Sequence, residues 1–230
     1  MSAMLVLFDI DGTLLHSLRA GVGAMKSALA QLHGIEADFD AVEIHGRLDT
    51  LIWKDLGRRH GYPLDEAAHA TFKRTYIEHL RERFAKENTS RAHPGALELV
   101  AATRAAPGAT IGLLTGNYEG SGRLKVQHAG FDPDHFVVNA WGDDGPDRRS
   151  LVPVAMERYR AMHGRAIDPR RVVIIGDTPA DVDCARSNGA RVIGVATGTF
   201  GVDALREAGA DLVVPNLTDT PGIVRWMAQG

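Results

Sequence analysis

The sequence predicts an α/β fold: a mostly parallel sheet with helices on both faces, interrupted near its start by a helical insertion. Three observations carry that prediction. Short apolar runs alternate with helix-like segments along most of the 230 residues. The runs are rich in Val, Ile and Leu without strict polar alternation, as strands covered on both faces are. One stretch, 16–91, keeps helical periodicity and offers no strand.

The predicted strands are 4–8, 110–114, 136–139, 172–175, 192–195 and 212–214, with helices at 94–106, 119–129, 151–163, 179–188 and 202–208 between them. Such alternation argues for a parallel sheet layered between helices. In the insertion, Val22, Met25, Leu29 and Leu32 recur at helical spacing, as do Phe72, Tyr76, Leu80 and Phe84. A shorter helix is predicted over 49–60. The expected division is therefore a core of 1–15 and 92–230 and a helical module of 16–91.

Composition narrows the function classes. The chain is 44% hydrophobic and 24% charged, with a net charge of −3, so it has no basic excess for nucleic acid or an anionic membrane. The single cysteine, Cys184, leaves no intramolecular disulfide framework and reads as a small buried hydrophobe. The N-terminal apolar run stops at Asp9, too short for a signal peptide or a membrane span. A cytoplasmic protein, monomeric or homodimeric, is the expectation.

Three strand ends carry the chemistry. "LFDIDGTLL" places Asp9 and Asp11 on one side of an extended segment. "IGLLTGN" ends in Thr115, Gly116 and Asn117, and "VVIIGDTPADV" delivers Asp177 and Asp181. Ligands of open parallel sheets bind beyond the carboxyl ends of the strands. Four carboxylates converging there need a counter-charge, and Mg²⁺ supplies one while accepting oxygen ligands. The Thr115 hydroxyl and the N–H groups of Gly116 and Asn117 suit a phosphate. Each piece has a plainer reading. A lone Asp-x-Asp is commonly solvated, and Thr115 could simply cap the next helix. Asp143, Asp144 and Asp147 read as a solvated loop, and the ten histidines show no zinc spacing.

Together, "DIDGTL", "LLTGN" and "GDTPADVDCA", in that order with an early helical insertion, resemble the haloacid dehalogenase-like hydrolase superfamily, in its phosphoglycolate-phosphatase-like branch. The resemblance covers essentially the whole chain. It implies a Rossmann-like core with an α-helical cap and a Mg²⁺-dependent phosphatase acting on a small phosphorylated metabolite. By the same resemblance Asp9 is the nucleophile that forms an aspartyl-phosphate, and Asp11 is the general acid and then the base. Asp9, the backbone carbonyl of Asp11 and Asp177 would hold the metal, with Asp181 supporting it directly or through water. Thr115 would bind the phosphoryl oxygens, Gly12 would permit the turn, and Thr13 would brace the loop. The family's lysine is missing: none occurs after Lys125, and "GDDGPDRRSLVPVA" offers Arg148 and Arg149 instead. Arg148 is the expected replacement, with Arg149 a further substrate contact. In "HGRLDT", Gly46 marks a break between helices and Arg47 could reach an anionic substrate group. Asp11 favours phosphate ester hydrolysis over dehalogenation, because a halide leaving group needs no proton. A phosphomutase of the same fold and a non-catalytic phosphometabolite binder are the alternatives.

Overall fold

The computed structural model describes residues 3–39 and 42–229. Its centre is β1 (Met4–Phe8), hydrogen-bonded in parallel to β4 (Ala109–Leu113) on one side and β5 (Val172–Gly176) on the other. β6 (Arg191–Val195) and β7 (Leu212–Val214) extend the sheet in the order β4-β1-β5-β6-β7, all parallel.

Both faces of this sheet are covered, which explains its continuous apolar runs. Met4, Val6 and Phe8 enter one core with Val173, Ile175, Ile193 and Val195. Leu5 and Leu7 enter the opposite core with Val172, Ile174 and Val192. The alternation is the two-residue period of a strand, with no polar face left to show it. Helices α4 (Ala96–Ala105), α5 (Glu119–His128) and α9 (Thr220–Ala228) close the first core. Helices α6 (Leu151–His163), α7 (Pro179–Ser187) and α8 (Val202–Glu207) close the second.

Between β1 and α4 the chain builds α1 (Ala20–His33), α2 (Asp49–His60) and α3 (Glu66–Lys86) around a separate core that includes Met25, Trp53, Phe72 and Tyr76. Two short strands, β2 (Leu15–His16) and β3 (Arg91–Ala92), pair antiparallel where the chain leaves the sheet and where it returns. Leu18 and Arg19, just after β2, adopt left-handed backbone conformations with φ of 46° and 61°.

Two elements differ from expectation. The strand predicted at 136–139 is absent. Ala140 makes one bridge to Leu114, but the Leu113 N–H is taken by Asn139 Oδ1 at 2.9 Å, so a side chain occupies the ladder position. Helix α9 follows the last strand and was not expected. It starts where Asp219 accepts from the Gly222 N–H, with proline in the first turn. Among the described residues no helix is long and apolar enough to cross a membrane.

Candidate active site

Register puts the chemistry in one place. Phe8 lies opposite Leu113 on one side and Ile175 on the other. The next N–H groups continue the ladder, Leu114 donating to the Phe8 carbonyl and Asp9 to that of Ile175, both at 2.9 Å. The first polar side chains beyond the sheet are then Asp9 in the middle, Thr115, two residues past β4, to one side and Asp177 to the other. Gly12, at φ 86°, turns the loop back over Asp177, and a Cβ there would fall 2.3 Å from the Asp177 carboxylate.

Asp9, Asp177 and Asp181 each bring a carboxylate oxygen within 4.8 Å of the others, and all three are buried. Burial first, relieved in part by Arg148 and reinforced by Asp181 and Asp11, raises the Asp9 carboxyl to about 6. Burial, Asp9 and Asp181 raise Asp177 to about 8, although Thr13 donates to it at 2.9 Å. Thr13 therefore ties the loop to Asp177. Arg148 sits among these acids, Nη2 3.1 Å from Asp9 Oδ1 and Nε 3.0 Å from Asp181 Oδ1. Burial opposes its charge, yet the two carboxylates hold its pKa above the ordinary arginine value. Asp181 also forms a reciprocal cap with Thr178 at the start of α7, accepting from the Thr178 hydroxyl at 2.7 Å. The donor set suits a hard divalent cation: oxygen ligands alone, tightly grouped and mutually repelling.

The second aspartate is held by Asn117, from the second motif, and by Lys125, which motif matching overlooks. Asp11 Oδ2 accepts from Asn117 Nδ2 at 2.8 Å and from Lys125 Nζ at 2.6 Å. Asn117 also donates to Thr115 Oγ1 at 2.8 Å and accepts from Lys125 at 2.7 Å. Lys125 is buried on the inner face of α5 beside Ser121, Gly122 and Val126. That cation at an apolar-face position was its signal in the sequence. Asp49, at the first turn of α2, is likewise buried. It accepts from the Tyr118 N–H at 3.2 Å and from Ser121 at 3.4 Å.

The helical module lies across these loops. Asp49 N–H donates to the Gly116 carbonyl at 2.7 Å, and Arg148 Nη1 to the Gly46 carbonyl at 3.3 Å. A Cβ on Gly116 would meet the Arg47 carbonyl at 2.1 Å, so only glycine lets the two backbones approach this closely. A cavity of about 360 Å³ remains between them, lined at its acidic end by Asp9, Asp11, Thr115, Asn117, Arg148 and Asp177. Of two arginines expected as substrate contacts, one reaches the cavity and one does not. The Arg47 guanidinium borders the cavity but is spent on Asp55, with Glu43 at 4.0 Å. Arg149 is turned to the surface, where it binds Asp183 through Nε at 2.6 Å and Nη2 at 2.8 Å. The guanidinium of Arg148 takes the inner position because its neighbours Asp9 and Asp181 lie on that side. Asp143 and Asp144 are ion-paired to Lys73 and Arg158 rather than simply solvated.

The chain is similar to several known proteins. The chain is 27% identical to a phosphoglycolate phosphatase of Mesorhizobium japonicum over 202 residues, covering 85% of this chain and 83% of that protein. A phosphoglycolate phosphatase of Chromobacterium violaceum is 26% identical, with 93% of each chain covered. The solved structure of CbbY from Rhodobacter sphaeroides in complex with phosphate superposes with a TM-score of 0.74 over 94% of this chain and 96% of that one, at 20% identity. The profile of the haloacid dehalogenase-like hydrolases matches residues 6–186. The chain belongs to that family of enzymes.

Proposed function

We propose that this hydrolase is a Mg²⁺-dependent phosphatase that cleaves a small-molecule phosphomonoester through an aspartyl-phosphate on Asp9. The observation that carries the reading is the position of Asp9. It lies at the middle strand end, with Arg148 on one carboxylate oxygen and Asp177 and Asp181 beside it. Its relatives in Mesorhizobium and Chromobacterium are named phosphatases.

Asp9 attacks phosphorus and the ester P–O bond breaks, while Asp11 gives its proton to the departing alkoxide. Asp11 then takes a proton from water, whose oxygen attacks phosphorus, and the P–O bond to Asp9 breaks to release phosphate. Thr115, the N–H groups of Gly116 and Asn117, and Arg148 hold the phosphoryl oxygens. Asp9, the Asp11 carbonyl, Asp177 and Asp181 would hold Mg²⁺, which supplies charge neutralisation on the transferring group. Residues 16–91 act as a cap over a core of 1–15 and 92–230, excluding bulk water and contacting the organic group.

Phosphate release from a panel of phosphomonoesters, with Mg²⁺ or with EDTA, tests the reading. Turnover is expected with Mg²⁺, and its loss is expected with EDTA and in Asp9→Asn. Near-wild-type rates in folded Asp9→Asn would remove Asp9 as nucleophile.

A further inference from the structure

Resting on the phosphatase reading, we propose that the substrate's organic group is apolar and bulkier than glycolate. It would sit against a wall that the helical module presents opposite Asp9 and Asp11. Past its acidic end the cavity is lined by Val22, Met25, Phe39, Ile44, Ile52 and Tyr76. These come from α1, the segment after it, α2 and α3, so four parts of the module converge on one surface. Val22 and Met25 are neighbours on one face of α1. Met25, Phe39 and Ile52 are 3%, 2% and 4% exposed. They belong to the module's core and turn one side to the cavity, as walls built for apolar ligands do.

A carboxylate such as that of glycolate would lose its water at this wall and need a cation in return. Three of the cations bordering the cavity are committed elsewhere. Lys125 serves Asp11 and Asn117, Arg148 serves Asp9 and Asp181, and Arg47 serves Asp55. Arg19, the exposed N-cap residue of α1, also lines the cavity, where its charge keeps its water. Asp49, which lines the same cavity, adds a carboxyl that disfavours a second anion. An alkyl or aryl group incurs no such cost, and each methylene buried there is expected to improve kcat/KM about fourfold.

The test is kcat/KM with Mg²⁺ for n-alkyl phosphates from ethyl to hexyl, benzyl phosphate, 2-phosphoglycolate and acetyl phosphate. The proposal expects a rise of about fourfold per methylene until the wall is covered. Hexyl or benzyl phosphate is expected to exceed 2-phosphoglycolate by at least about tenfold. Val22→Lys, and more mildly Val22→Ala, should lower the ratio of hexyl phosphate to acetyl phosphate turnover. Val22→Lys should also raise the relative rate on 2-phosphoglycolate. A flat alkyl series, a preference for 2-phosphoglycolate, or an unchanged ratio in both variants overturns the proposal while leaving the phosphatase reading intact. Folded protein that releases phosphate from nothing in the panel, acetyl phosphate included, overturns the phosphatase reading and the proposal with it.

Discussion

Lys125 Nζ lies 2.6 Å from Asp11 Oδ2, and the amide of Asn117 meets the same oxygen at 2.8 Å. One carboxylate oxygen of Asp11 is thus held by two donors, one of them a buried ammonium. Its other oxygen accepts more weakly, from Ser17 at 3.5 Å. Lys125→Met keeps the bulk of the stem and removes the charge. On alkyl phosphates kcat should fall about tenfold to a hundredfold, a fraction of what general acid catalysis supplies. Acetyl phosphate, whose leaving carboxylate needs no proton, should suffer less. Equal losses on both substrates in steady-state assays would show that Lys125 supports the fold and not the position of Asp11.

Asp49 gives a pH signature. Burial lifts its carboxyl from 3.8 to about 7, against the pull of Lys125 and of the Tyr118 and Ser121 hydrogen bonds. The folded state holds this proton more tightly than the unfolded chain does. The stabilisation is therefore full below pH 3.8 and is lost as pH rises toward about 7. The loss is at most about 4 kcal/mol. Asp49→Asn has no charge to bury. Its urea stability, subtracted from that of the wild type at each pH, should show that slope and favour the variant above neutrality.

Arg148 neutralises two buried carboxylates. Arg148→Met leaves Asp9 and Asp181 without it and should cost about 3–5 kcal/mol in urea unfolding. Mg²⁺ should restore part of that loss by supplying a different positive charge. Arg149→Ala breaks a surface pair with Asp183 and should leave both stability and kcat/KM near the wild-type values.

Metal binding should be visible without turnover. Mg²⁺ at a hundredfold its Kd should stabilise the fold by about 2.7 kcal/mol, and Asp177→Asn should abolish most of the effect. With Asp177 raised to about 8 and Asp9 to about 6, protons compete for the same oxygens. Apparent Mg²⁺ affinity should fall as pH drops from 8 to 6, measured by calorimetry.

How far the sequence could be read follows from range. β1 and β5 were legible because strands buried on both faces are apolar throughout, and Asp9 and Asp177 because each directly follows its strand. The segment at 136–139 has the same composition, but Asn139 replaces a backbone partner with its side chain, and no periodicity reports that. Lys125 and Asp49 sit 114 and 38 positions from Asp11. Their roles exist only once α5 and α2 pack over the loop, so local pattern had no means of joining them. Arg148 and Arg149 are adjacent and alike in type. Which one turns inward is set by distant partners, Asp9 and Asp181 for Arg148 and the surface Asp183 for Arg149.

The pairing of β2 with β3 has a consequence for how such a chain can change over generations. Leu15 faces Ala92 and His16 faces Arg91, so the chain enters and leaves its helical module through one doorway two residues wide. The sheet registers only that the doorway is closed, and the entropy of closing a loop grows slowly with what lies beyond it. A lineage can therefore lengthen, shorten or re-line the helical module without moving the strand ends that hold Asp9, Thr115 and Asp177.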